Sequence, residues 1–243
     1  MKNGINKISV YGDSILKGAV TGTDSGHLFD IIEDTSLDLA QRVLGFDLNN
    51  QSVFGSVASK TLRRLKKDIE KGVCGDLAIL ESGGNDCDYS WSDVCETPGQ
   101  VHEPRTPLSE FEQLMQEMID SCRAAKVTPV IMTMPPLVAD WWFEHIAEGH
   151  DREIIMNEVN GNPHKLYLSH ERYNLHLVDL ALKNNVQIVD MRRLMLDQLD
   201  YRKFMCRDGI HPNPDGYKLM SELWIKVLPF FHSMFLHLAL KDF

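Results

Sequence analysis

Ser14 directly follows the apolar run Ile8-Ser9-Val10-Tyr11, and far downstream Asp208 and His211 stand three residues apart in Arg207-Asp208-Gly209-Ile210-His211-Pro212. A serine hydroxyl is a poor nucleophile at neutral pH. Acyl-transfer chemistry therefore sets it against a neutral imidazole that takes its proton during attack, with a carboxylate orienting the ring. Gly209 and Pro212 interrupt any helix around His211, so Asp208 and His211 are expected to share one loop, the carboxylate facing the ring nitrogen not used on the serine. Taken singly, each piece has a commoner structural use. A serine after a strand usually caps a turn or helix, and an isolated Asp-x-x-His is more often a loop hydrogen bond or half of a metal site.

Two middle segments tie the pieces together: Asn50-Gln51-Ser52-Val53-Phe54-Gly55, and Gly83-Gly84-Asn85-Asp86 after the apolar run Leu77-Ala78-Ile79-Leu80. With Gly12-Asp13-Ser14 and Asp208-x-x-His211 they give four blocks that resemble those of the SGNH hydrolases, also called GDSL esterases and lipases. The blocks occur in the family's order across about residues 7 to 227, and the last is followed by the family-like run Pro212-Asn213-Pro214-Asp215-Gly216-Tyr217. The resemblance implies that Ser14 is the nucleophile, His211 the base and Asp208 its orienting acid. It also implies that the N–H groups of Ser14 and Gly55 and the side-chain amide of Asn85 form the oxyanion hole. A glycine at 55 suits that role, because no Cβ stands between its N–H and the cavity. Asp13 and Asp86 are expected to brace the active-site loops rather than to act as acids. Ile15 stands where the family has leucine, and Phe54 where many members have a small residue, which bears on substrate size more than on mechanism.

Other templates fit poorly. No serine lies in a Gly-x-Ser-x-Gly elbow, the cysteines at 74, 87, 95, 122 and 206 include no Cys-x-x-Cys pair, and none of the ten histidines falls in His-Glu-x-x-His. Neither a metal nor a cofactor is expected. The net charge of −10 disfavours nucleic acid or an anionic membrane surface as partner. A small-molecule ester, including an acylated sugar, fits better. The first residues lack the apolar core of a signal peptide, and an odd count of five cysteines suits a reducing compartment, so a cytoplasmic location is expected.

A chain of 243 residues with 43% hydrophobic content can bury a full core as one larger α/β domain. Short apolar runs alternate with amphipathic stretches, the signature of βαβ units. Strands are expected near 7–11, 49–53, 77–82, 128–134 and 186–190, and helices over 36–44, 60–70, 108–125 and 169–183. This gives a three-layer α/β/α sandwich on a five-stranded parallel sheet, flavodoxin-like, which is also the fold the resemblance implies. Ser14, Gly55 and Asn85 each follow an expected strand and so share the rim at which such sheets place their sites.

The insertion at about 136–170 is longer than an ordinary connection and reads as a lid or specificity loop, with Trp141 and Trp142 joining Phe54 as candidate substrate-pocket residues. That Trp141 and Trp142 instead anchor a helix to the core is an equal alternative. His145 and His150 read as surface residues. The apolar tail 229–243 reads as a docking segment or a homodimer contact, because Lys226, Pro229 and two histidines interrupt any membrane span. The favoured substrate is a short-chain, acetyl-type ester of a carbohydrate or similar polar alcohol. A lysophospholipase or thioesterase would need a deep apolar slot. A catalytically idle glycan-binding module would have no use for Ser14, Gly55, Asn85, Asp208 and His211 together.

Overall fold

The computed structural model describes residues 5–21 and 29–231. In chain order, β1 (Lys7–Tyr11) leads into the short α1 (Ser14–Lys17), followed by the two-residue strands β2 (Ala19–Val20) and β3 (Asp30–Ile31). Next come α2 (Ser36–Leu44), β4 (Asp47–Asn50), α3 (Ala58–Glu70), β5 (Leu77–Leu80), α4 (Trp91–Glu96), α5 (Leu108–Ala124) and β6 (Thr128–Met132). The last part holds α6 (Ala139–Gly149), α7 (Arg152–Glu158), α8 (His164–Lys183), β7 (Gln187–Val189), α9 (Met191–Leu196) and α10 (Pro214–Val227).

Five strands pair in parallel in the order β4-β1-β5-β6-β7, while β2 and β3 form a separate antiparallel pair. Counting only the strands of the main sheet, this is the 2-1-3-4-5 order of the flavodoxin-like class. Alternation along the strands fills two faces. Ile8, Val10, Leu77, Ile79, Val130 and Met132 pack under α2, α9 and α10, whereas Tyr11, Ala78, Leu80 and Ile131 pack under α3, α5 and α8. Local chemistry fixes the ends of the helices. Thr35 and Asp38 form a capping box that starts α2, Gly45 in the left-handed region stops it, and Asn213 caps α10 ahead of Pro214.

The expected five-stranded sandwich is therefore the observed one, with two local differences. β4 spans Asp47–Asn50 rather than 49–53, because the Asn50 side chain accepts the Ser52 N–H at 3.0 Å and turns the chain toward the site. Residues expected to form a long loop over 136–170 instead build α6, α7 and the first turns of α8. With α4 they enclose their own apolar cluster of Trp91, Val94, Leu137, Phe143, Ile146, Ile155, Val159 and Leu166. Of the tail, Phe231 is buried against the core, and residues 232–243, on which the dimer-contact expectation falls, lie outside the described residues. Among the described residues no helix is long and apolar enough to cross a membrane, and all five cysteines are free thiols.

Candidate active site

Ser14, Gly55 and Asn85 lie just beyond the carboxyl ends of β1, β4 and β5, the point where the strand order reverses. Asp13 caps α1 by accepting the Ile15 N–H at 2.9 Å, which leaves Ser14 as the first helical residue. The Ser14 Oγ is 2.8 Å from His211 Nε2, and His211 Nδ1 is 2.5 Å from Asp208 Oδ2. A carboxylate can only accept, so Nδ1 carries the ring proton and Nε2 accepts from the serine hydroxyl. Asp208 also accepts the Ile210 and His211 N–H groups, each at 3.1 Å. Burial alone would raise its carboxyl. The hydrogen bond and charge of His211, with those two N–H groups, outweigh burial and hold Asp208 below the usual carboxylate range.

The Asp208–His211 loop is held from both sides. The Cys206 N–H donates to the His211 carbonyl at 2.7 Å, and the Val138 N–H donates to the Gly209 carbonyl at 2.8 Å. Gly209 has φ +78°, and a Cβ there would stand 2.6 Å from the Val138 carbonyl oxygen and 2.9 Å from Trp141 Cβ. This explains Trp141. Trp141 packs on the core beside the catalytic loop and is not part of the cavity wall that Trp142 and Phe54 join. Consecutive helix residues point about 100° apart, so both tryptophans of α6 cannot face one cavity.

The candidate oxyanion donors converge on that cavity. Gly55 takes φ +63° in a turn tied to the serine turn by the Val53 N–H to Gly12 carbonyl bond of 3.1 Å. Among the described residues neither the Ser14 nor the Gly55 N–H donates elsewhere. Asn85 Nδ2 donates one hydrogen to Asp13 Oδ2 at 2.8 Å, which leaves the second for a ligand.

Behind Asn85 lies a group that the motif reading passed over. Glu81, 1% exposed, accepts the Asp13 N–H at 2.9 Å, and its side chain is hydrogen-bonded to that of Asp13. Burial first, and then the charge of Asp13, push the Glu81 carboxyl well above its usual range, which makes Glu81 the donor in its bond to Asp13. Burial raises Asp13 as well, opposed by the Ile15 N–H, the charge of His211 and the bonds from Glu81 and Asn85. Glu81 thus orients Asp13, which orients Asn85. Glu81→Gln keeps a donor and should leave kcat within about twofold, whereas Glu81→Ala should lower it by roughly tenfold to a hundredfold. Equal kcat for the two variants would remove the relay.

Asp86 braces the neighbouring turn, accepting the Ala58 N–H at 2.8 Å and the Gly83 N–H at 3.0 Å. Burial pushes its carboxyl up to about 6 against those bonds, and burial does the same to Asp88, against Arg105 and Trp91, also to about 6. Carboxyls raised above an unfolded value of about 4 hold their protons more tightly in the fold. The stability they lend is present at low pH and lost as pH rises from about 4 through 6. Asp208 acts in the opposite sense, at pH below the usual carboxylate range. Tm should therefore fall between about pH 4 and pH 6, and fall less in Asp88→Asn, whose amide oxygen can still accept from Trp91 Nε1. Equal falls in both proteins would refute the assignment.

The cavity beside Ser14 has a volume of about 810 Å³. Met134, Pro135, Leu137, Leu166 and Ile210 form apolar walls, and aromatic rings stand over His211. Phe29 meets the His211 ring edge-on at 5.3 Å between centroids and lies 6.1 Å from Phe54 and 6.5 Å from His145, on which Trp142 stacks at 5.4 Å. His145 is partly exposed and belongs to this aromatic group, and His150 donates to the Ile146 carbonyl at 3.0 Å.

Residues 10–219 match the GDSL-like Lipase/Acylhydrolase family. The fold is similar to that of the lipase/acylhydrolase from Enterococcus faecalis, at a TM-score of 0.65 and 17% identity over 91% of this chain and 94% of that one. It is similar to the acetylxylan esterase Axe2 from Geobacillus stearothermophilus, at 0.64 and 15% over 94% and 96%, and to the esterase EstA from Pseudoalteromonas, at 0.58 and 17% over 92% and 97%. No curated protein matches the chain in sequence.

Proposed function

The chain belongs to the GDSL-like lipase/acylhydrolase family, and from that premise we propose that it is a serine ester hydrolase working through an acyl-enzyme. The observation that carries this is the unbroken hydrogen-bond chain Asp208–His211–Ser14 at the wall of a large cavity. Ser14 Oγ attacks the ester carbonyl as its proton passes to His211 Nε2. The Ser14 and Gly55 N–H groups and the free hydrogen of Asn85 then stabilise the oxyanion. His211 returns the proton to the departing alcohol, and a water activated by the same nitrogen releases the acid.

The size of the acyl group is a finer matter. Composition favours an acetyl ester of a polar alcohol, and the acetylxylan esterase among the similar folds lends that reading some support. The cavity weighs the other way. Its 810 Å³ and the apolar walls from Met134, Leu137, Leu166 and Ile210 far exceed an acetyl group and suit the extended acyl chain of the second reading. A p-nitrophenyl ester series from acetate to palmitate, run beside Ser14→Ala, tests both levels. Turnover lost in the variant supports the hydrolase, and a peak beyond acetate supports the longer acyl group. A peak at acetate returns the substrate to short acyl esters, and turnover equal in both proteins defeats the hydrolase. All five residues an idle glycan-binding module would not need stand in or beside this cavity.

A further inference from the structure

His170, on α8, borders the same cavity as Ser14 and is 9% exposed. Its Nδ1 lies 2.7 Å from Arg192 Nη2. A guanidinium has five donors and no acceptor, so Nδ1 must accept, the ring must be neutral, and its only proton sits on Nε2. Burial, and next the charge of Arg192, hold this imidazole well below its usual value, in agreement with that state. Arg192 is itself fixed. Its Nη1 is 2.6 Å from Glu171 Oε2, and its backbone N–H donates to Thr133 Oγ1 at 3.0 Å. His170 lines the cavity, and no residue among those described accepts its Nε2–H, on the opposite edge of the ring from Nδ1. A donor without a partner in the protein, on a residue that lines a cavity, is the form of a ligand contact.

We propose that the Nε2–H of His170 is a substrate-recognition donor that takes a neutral acceptor oxygen, keto, hydroxyl or ether, carried part-way along the acyl group of the ester. This rests on the hydrolase reading above. The distance from the reacting bond follows from topology. Ser14 leaves β1, whereas Thr133 and Arg192, which hold His170, leave β6 and β7. Two to three strand spacings separate them, on the order of 10–15 Å. The leaving alcohol must face His211, so the acyl group is the part that extends away across the apolar walls. The neutrality of the acceptor follows from the charges nearby. Glu171 offsets Arg192, and Asp88 lies 3.8 Å from Arg105, so a carboxylate would gain no uncompensated cation.

The test uses p-nitrophenyl 4-oxopentanoate, 5-oxohexanoate and 7-oxooctanoate, each paired with its unsubstituted alkanoate. At least one keto ester should exceed its parent in kcat/KM by about fivefold or more, the ratio should fall to about one in His170→Phe, and His170→Gln should restore part of it. Ratios near one throughout in the unaltered protein, or a ratio unchanged in His170→Phe, would overturn the proposal. Because His170→Phe leaves Arg192 short of an acceptor, a second measurement avoids altering the site. In the Ser14→Ala protein the His170 Nε2–H resonance should shift with the preferred keto ester and not with its parent, and no difference would overturn the proposal. Absence of turnover with every ester would defeat the hydrolase reading alone, and this titration would still decide on His170.

Discussion

Ser14→Ala should lose on the order of a millionfold in kcat toward any ester the protein hydrolyses, with His211→Gln nearly as slow. The reason lies in the coupling of the two groups. The serine Oγ at 2.8 Å from Nε2 is nucleophilic only as its proton departs, so removing either partner removes the same step. The double variant should be no slower than the worse single one, because groups that act as a unit are not additive. Asp208→Asn should cost less, about ten-thousandfold, through loss of the tautomer that keeps Nε2 free to accept. Kinetics of the three single variants and the double variant check this, with circular dichroism to confirm folding. Multiplying losses in the double variant would mean that Ser14 and His211 act independently.

Asn85→Ala should lower kcat by about a hundredfold to a thousandfold, roughly 3–4 kcal/mol of barrier, with a much smaller change in KM. Its free amide hydrogen is aimed at charge that develops only in the tetrahedral intermediate, so ground-state binding hardly draws on it. The fold should survive, because the change removes a half-buried side chain from a turn that Asp86 holds through the Ala58 and Gly83 N–H groups. Asp13 loses one of its partners but keeps Glu81 and the Ile15 N–H. A rise in KM with kcat unchanged would recast Asn85 as a binding residue. A loss below about threefold would leave the two backbone N–H groups as the whole oxyanion site.

Much of the site was legible because its chemistry is written in short segments at strand ends. Ser14, Gly55 and Asn85 could be placed on one rim because each follows an expected strand, whereas the glycine and proline around Asp208 and His211 marked only a shared loop, which the resemblance tied to Ser14. The sheet was legible for the same reason, since β5 and β6 are apolar on both faces and β1 on the face of Ile8 and Val10. β4 was displaced because Asp47, Asn49 and Asn50 carry little strand propensity, and the edge position allows them. Of the two readings of the insertion the helical one is observed, and the pairs Phe143/Ile146 and Ile155/Val159, at i,i+3 and i,i+4 spacing, are what mark helices with one buried face. Glu81 left a trace in the sequence, an acid directly after a fully apolar strand. Nothing local marked His170, whose tautomer is set by Arg192 from another element.

The most direct test of the central claim is covalent capture of the nucleophile with a p-nitrophenyl alkylphosphonate, followed by intact-mass and peptide mass spectrometry. Attack by Ser14 Oγ on phosphorus expels p-nitrophenolate and leaves a stable phosphonyl ester. The account predicts one adduct per chain, mapped to Ser14, with one equivalent of p-nitrophenolate released, absent in Ser14→Ala and strongly slowed in His211→Gln. An adduct on another residue, or no adduct while the protein hydrolyses esters, would contradict it.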